Sequence, residues 1–235
     1  MEAPMPSSLS SILRGLLSVA KKAFRRDFDY RRAYRRADLS VDYWSVVGPA
    51  TKEEFERLGR GKLQQLIDAG LTPKSRVLDV GCGTGQLTEA MAGYLSPPGM
   101  YVGADIAPEA IAFCRAKFAL PNFRFVQNEM RSLPIGEERF DFIYLGSVFT
   151  HMYPNEIRDL LDELKRLLAG GGAIIADAFL SDAASSHEGD RGMVVINAGV
   201  LRGAFSAAGL QAHQVHEWEW KPGVRRTIFR LARAE

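Results

Sequence analysis

The sequence predicts an α/β fold in which a mostly parallel, seven-stranded sheet ends in a C-terminal antiparallel hairpin, preceded by a helical extension. Three observations carry this. Val77, Leu78 and Val80 form a short β-rich run that enters Gly81-Cys82-Gly83-Thr84-Gly85; Leu87, Ala90, Met91 and Tyr94 then follow at helical spacing. Further apolar runs at Tyr101–Ala104, Phe123–Val126, Phe142–Leu145 and Ala173–Ala178 are interleaved with helix-like segments, the alternation that builds a parallel sheet. Finally, residues 211–220 and 225–232 alternate around Pro222-Gly223, as the two strands of a hairpin do.

The elements follow in order. Residues 1–36 hold nine Lys or Arg against three Asp or Glu, whereas the rest holds twenty-one against twenty-five, so the basic character belongs to the N-terminal arm. Within it, Leu9, Ile12, Leu13, Leu16, Leu17, Ala20 and Phe24 make one apolar helical stripe, with Arg14, Lys21, Lys22 and Arg25 largely off it. Such a helix over residues 9–26 suits docking on the domain or a partner chain, or lying on an anionic membrane surface. Nucleic acid is not expected, because no nucleic-acid-binding motif accompanies the charge. Thr51 and Glu54 form a capping box for a helix that buries Phe55, Leu58, Leu63, Leu66 and Ile67 and ends at Gly70 and Pro73. Pro154 opens a helix with Ile157, Leu160, Leu161, Leu164, Leu167 and Leu168 on its buried face, stopped by Gly170–Gly172. Residues 181–192 are polar and glycine-containing and read as a mobile loop. Val200–Ala208 reads as a helix ended by Gly209.

A chain of 235 residues with 46% hydrophobic and 25% charged residues fits one well-buried core. The expected division is residues 1–50 as a basic helical extension and lid, and 51–235 as the main domain. No apolar run approaches the roughly 20 residues of a bilayer span. A continuous signal-peptide core is also missing, so a cytoplasmic protein is expected, with possible contact to the inner face of a membrane. Cys82 and Cys114 argue against a disulfide framework, and no metal-ligand spacing surrounds either.

The glycine turn is the chemical centre. Its glycines permit positive φ and close approach of a ligand to the backbone. Asp105, twenty residues beyond Gly85 and at the end of a strand, can accept from both hydroxyls of a ribose. Two cofactor classes use this plan. A dinucleotide such as NAD(P) places a pyrophosphate on a Gly-x-Gly-x-x-Gly turn. Here the spacing is Gly-x-Gly-x-Gly, and Asp79 stands two residues before the first glycine. That charge repels a pyrophosphate and attracts the ammonium and sulfonium of S-adenosylmethionine, which favours the methyl donor.

The segments DVGCGTG, YVGADIAPEA, FRFVQNEMRSLPI, FDFIYLGSVFTHM and LDELKRLLAGGGAIIADAF, in this order, resemble the class I S-adenosylmethionine-dependent methyltransferases of the small-molecule type, from about residue 72 to the C-terminus. The resemblance implies a Rossmann-like, doubly wound fold. It implies a cofactor site of Asp79, Gly81, Cys82, Gly83, Gly85, Asp105, Ile106, Glu129, Met130, Gly146 and Ser147, in which Glu129 accepts from the adenine amino group, Met130 meets the ring, and Gly146 and Ser147 meet the methionine half. Asn128 is a second candidate for the adenine. Tyr30, Tyr34, Tyr43 and Trp44 are lid candidates, or ordinary packing aromatics. The acceptor pocket is expected around Tyr43, Trp44, Phe149, His151, Asp177 and His187. His151 is the leading candidate for a general base, against a structural role at the start of the next helix. Asp177 is a pocket residue or a strand-end acid, and His187 a second base candidate.

The implied reaction is methyl transfer to N, O or C of a small-molecule or amphipathic, lipid-like acceptor, with S-adenosylhomocysteine as the second product. The donor is already activated, so neither a triad nor a metal is required. The alternatives are a non-catalytic methyltransferase-like binding subunit and an NAD(P)-dependent oxidoreductase.

Overall fold

A computed structural model describes residues 31–129, 132–188 and 192–234, without the side chains of His187 and Glu188. The basic helix expected over 9–26, Tyr30 and Met130 lie outside the described residues.

The seven strands read from the sequence are all present. They are β1 (Arg76–Val80), β2 (Met100–Asp105), β3 (Phe123–Gln127), β4 (Phe140–Leu145), β5 (Leu168–Ser181), β8 (Leu210–Lys221) and β9 (Val224–Arg233). β1 pairs in parallel with β2 on one side and β4 on the other. The order across the sheet is β3-β2-β1-β4-β5, continued by β9, antiparallel to β5, and β8, antiparallel to β9. The order reverses between β1 and β4, and the crevice beyond the carboxyl ends of the strands opens at that switch point. β1 is buried nearly throughout, as a central parallel strand must be, which explains its unbroken apolar run.

Five helices cover the sheet: α1 (Lys52–Asp68), α2 (Gln86–Ala92), α3 (Pro108–Lys117), α4 (Pro154–Leu167) and α5 (Ala198–Ala207). Leu78, Val80, Val102, Ile143 and Leu145 point to the face packed by Leu160, Leu164 and Phe205, from α4 and α5. Val77, Tyr101, Phe142, Tyr144 and Ile175 point to the other, packed by Leu66, Leu87, Met91 and Cys114, from α1, α2 and α3. Thr51 caps α1 as read, Glu54 N donating to Thr51 Oγ1 at 3.1 Å, but the Glu54 carboxylate accepts from Ala50 N at 2.8 Å, one residue before the amide a capping box would use. Gly59 in α1 lies so close to α2 that a Cβ there would stand 2.2 Å from the Gln86 carbonyl oxygen. No helix among the described residues is long and apolar enough to cross a membrane.

Two segments depart from the expectation. The presumed loop 181–192 contains the end of β5 and a further strand, β6 (Ser186–Glu188), which pairs antiparallel with β7 (Met193–Asn197). β4 leaves β5 at Ala176, while β9 holds the opposite edge as far as Leu180. β7 therefore pairs with Phe179–Ser181 along the edge that β4 has vacated, burying Val194, Val195 and Ile196 beyond the end of β4. β6 is too short and polar to show a strand pattern. The second departure is Leu168, which opens β5 instead of closing α4; the glycines after it belong to the strand. At Gly172 a Cβ would stand 2.9 Å from the Asp141 carbonyl oxygen, so the strand pair needs glycine there.

Candidate functional site

A cavity of about 490 Å³ lies along the carboxyl ends of β1, β2, β4 and β5 and the amino end of the antiparallel β9, roofed by α1 and by residues 34 and 47–49. Its two ends differ in chemistry.

At the first end, Gly81, Gly83 and Gly85 all have positive φ, at 78°, 55° and 89°. A Cβ on Gly81 would stand 2.7 Å from Val148 Cγ2, and one on Gly83 2.8 Å from Val47 Cγ1. The turn is closed on itself: Gly81 N and Cys82 N donate to the Ala104 carbonyl at 2.7 and 3.0 Å, and Gly85 N to that of Cys82 at 3.0 Å. Gly83 N donates to Asp105 Oδ2 at 2.9 Å, and Ala107 N to Asp105 Oδ1 at 2.9 Å. These two bonds orient the carboxylate and leave further lone pairs on both oxygens. Burial raises the Asp105 pKa, and the backbone donors oppose that rise. Asn128 is buried beside it, Nδ2 donating to the Glu129 carbonyl at 2.7 Å while Oδ1 has no partner among the described residues. Gln86 Nε2 is likewise buried and unpartnered among the described residues.

Asp79 lies beneath the turn and does not line the cavity. Its Oδ2 accepts from Tyr101 Oη at 2.5 Å, and that hydroxyl also bonds Thr88 Oγ1 at 2.8 Å. Burial pushes the Asp79 pKa up to about 6, against the lowering effects of the Tyr101 hydroxyl and the Lys62 ammonium.

At the second end, four segments distant in sequence converge. Ser147 N donates to Asp177 Oδ1 at 2.6 Å; Arg226, from β9, reaches Asp177 Oδ2 through Nε at 2.7 Å and Ser147 Oγ through Nη2 at 2.7 Å. Lys62, from α1, approaches the same turn, since a Cβ on Gly146 would stand 3.2 Å from its Nζ. Burial draws the Lys62 pKa down, while Asp79 and Asp177 hold it up. No carboxylate lies within 4 Å of its ammonium among the described residues, leaving a cation without a close counterion at the cavity wall.

Among the residues singled out from sequence, Tyr34, Gly81, Cys82, Gly83, Asp105, Ile106, Asn128, Gly146, Ser147, His151 and Asp177 line one cavity. The others are placed elsewhere. Gly85 faces the Phe118 ring, with 2.4 Å between Phe118 Cε2 and an added Cβ. Glu129 is exposed, its backbone pairing with Ser132, so Asn128 rather than Glu129 presents a buried side chain to the site. Phe149 is fully buried in the core near Phe205. Tyr43 and Trp44 pack edge to face outside the cavity, with Tyr43 also against Phe55 and Phe113. Tyr34 and Val47 provide the lid instead. His187 lies in β6, and its side chain is outside the described set.

Sequence reasoning missed Lys62, Gln86, Tyr144, Trp218 and Arg226. For Lys62 there was a signal: it falls four residues before the buried Leu66 and four after Leu58, which was expected to be buried but is exposed at the cavity wall. Arg226 had none, because its partners come from β4 and β5.

Residues 77–172 match the family model described as a methyltransferase domain. Over that segment the chain is similar to the class I S-adenosylmethionine-dependent methyltransferases. An uncharacterized methyltransferase of Synechocystis is 33% identical over 133 residues, covering 56% of this chain and 57% of that protein. A fatty-acid O-methyltransferase of Mycolicibacterium smegmatis is 36% identical over 100 residues, covering 41% and 34%. The solved structure of an amino pentose methyltransferase from Micromonospora echinaspora, with S-adenosylmethionine bound, shares the fold. Its TM-score is 0.57 at 21% identity, over 77% of this chain and 92% of that one. The chain thus spans about a third to three fifths of these two curated relatives.

S-adenosylmethionine is the cofactor of the family, and the cavity fits it. The glycine turn offers space that a Cβ would fill, Asp105 retains acceptor capacity, and Asn128 Oδ1 is a buried acceptor without a donor.

Proposed function

We propose that this chain binds S-adenosylmethionine along the switch-point crevice and transfers its methyl group to an amphipathic acceptor. The carrying observation is the state of the glycine turn. The Gly81, Cys82, Gly83 and Gly85 amides are bonded to the protein's own oxygens, and the acceptor for Gly83 is a carboxylate. A pyrophosphate needs those amides free, so the dinucleotide reading is disfavoured.

In this reading the adenine lies at Asn128 and Gln86, the ribose hydroxyls on Asp105, and the amino-acid end over Gly81 and Gly146 with its carboxylate facing Lys62. Asp79 acts from beneath the turn through its charge. When bound, the cofactor supplies a methyl group on a sulfonium, a leaving group needing no further activation. The protein's part is orientation and exclusion of water. Tyr34 and Val47 close the cavity over the glycine turn, and Tyr144 supports Gly146 from the strand. His151, on the cavity wall, is the candidate to take a proton from acceptors that carry one.

Beside these polar groups the wall holds Val148, Met152, Leu160, Ile175, Trp218 and Ile228, which suits an acceptor with an apolar or lipid-like body. The fatty-acid-methylating relative supports the same class. The division into a basic extension (1–50) and a catalytic domain (51–235), with residues 9–26 contacting a membrane surface or partner, belongs to this reading.

The test has two parts. Calorimetry should give S-adenosylhomocysteine binding with no binding of NAD or NADP; the reverse would overturn the cofactor placement. Incubation with methyl-labelled donor and fractionated cell extract should place label in the organic-soluble fraction. Label confined to water-soluble metabolites would remove the lipid acceptor.

A further inference from the structure

Ser147 is the only non-glycine residue with positive φ among the described residues, at 62°. That backbone region is unfavourable for a residue with a Cβ, and it persists only where the surroundings impose it. Here three hydrogen bonds do so. Ser147 N donates to Asp177 Oδ1 at 2.6 Å, Ser147 Oγ accepts from Arg226 Nη2 at 2.7 Å, and the Ser147 carbonyl accepts from Thr150 Oγ1 at 2.8 Å. Two of the three come from one ion pair, Arg226 Nε lying 2.7 Å from Asp177 Oδ2. The guanidinium is itself held in place, its Cζ 5.5 Å from the Phe179 ring centroid and 5.6 Å from that of Trp218. Asp177 is almost wholly buried and Arg226 about two-thirds so, which makes the pair directional.

We infer that Arg226 and Asp177 form a clamp that imposes the left-handed backbone at Ser147 and so sets the Gly146–Ser147 turn against the amino-acid end of the methyl donor. The clamp touches no reacting atom. Arg226 is a positioning residue, and it ties the last hairpin of the chain to the turn after β4. The inference rests on the donor reading given above.

The test uses two probes that differ only at the end the clamp controls. S-adenosylhomocysteine carries the amino-acid end, whereas 5′-methylthioadenosine has the same adenosine and thioether without it. Arg226→Gln should weaken S-adenosylhomocysteine about tenfold while 5′-methylthioadenosine binding stays within twofold, with melting curves reporting folding. Asp177→Asn, which keeps the side-chain shape, should give the same split. The decisive measurement is the cycle with Ser147→Gly, since glycine takes this φ without a Cβ penalty. In the Ser147→Gly background, Arg226→Gln should cost less than threefold. A full tenfold loss there would mean that Arg226 acts by direct contact or charge, and would overturn the clamp. Equal weakening of both probes would also overturn it, as general destabilisation. Wild-type protein binding neither probe would instead sink the donor reading, and the clamp with it.

Discussion

The two ends of the cavity are built in opposite ways. Around the glycine turn, the glycines and polar groups come from Gly81 to Asn128, at and beyond the ends of three neighbouring parallel strands, and are joined mostly by backbone hydrogen bonds. At the other end, Lys62, Ser147, Asp177 and Arg226 come from α1, the turn after β4, β5 and β9, and meet through side chains. A backbone-built pocket tolerates changes in its surroundings, because the strand ladder holds it. A side-chain-built pocket depends on each charge finding its counterpart.

That contrast can be tested in steps, beginning with the largest effect. Asp105→Ala removes the proposed ribose acceptor and the partner of Gly83 N, and should weaken S-adenosylhomocysteine by about 1–3 kcal/mol. Calorimetry that gave unchanged affinity would remove Asp105 from the site. The next step is acidification. The Asp79 pKa of about 6 lies above its ordinary 3.8, so the ligand-free folded state holds that proton more tightly than the unfolded chain. Its contribution to stability is fully present below about pH 4 and is lost as pH rises through about 6. A cationic ligand favours the ionised form, so donor affinity should fall about tenfold from pH 7.5 to pH 5. This dependence should vanish in Asp79→Asn, and its persistence there would assign it to another group.

A smaller effect is expected at the side-chain end. Lys62→Met should weaken S-adenosylhomocysteine about fivefold by removing one charge-assisted contact. Binding of 5′-methylthioadenosine should be unchanged, and parallel losses for both would place the role of Lys62 in α1 packing. The smallest effect separates two neighbours. Glu129→Gln should leave donor affinity within about twofold, whereas Asn128→Ala should lower it by about 1 kcal/mol through loss of a single hydrogen bond. The opposite ranking would restore Glu129 as the adenine acceptor.

The same division governs what was legible in the sequence. Strand, glycine turn, the strand-end acid Asp105 and the β-hairpin are local patterns, and each stands where the sequence placed it. Glu129 was favoured over Asn128 because adjacent residues on a strand exit differ only in which way they face, and one sequence does not state the register. Tyr43, Trp44 and Phe149 have the right chemistry for a pocket and the wrong orientation, since aromatic side chains serve a core equally well. β6 and β7 escaped because β7 forms only where β4 has vacated an edge of β5, a condition of tertiary structure. Arg226 was invisible for the same reason: its partners lie 49 and 79 residues away.

Gly59 sets a boundary on the whole arrangement. Its contact with the Gln86 carbonyl leaves no room for even one methyl group, and Lys62 follows less than one turn later on the same helix. Any side chain at position 59 must tilt α1 outward, carrying the ammonium away from Gly146 and widening the roof of the cavity. A residue that meets neither cofactor nor acceptor thus acts as a spacer gauge. Natural or engineered variation there would retune cavity breadth and electrostatics together, without altering a single wall residue.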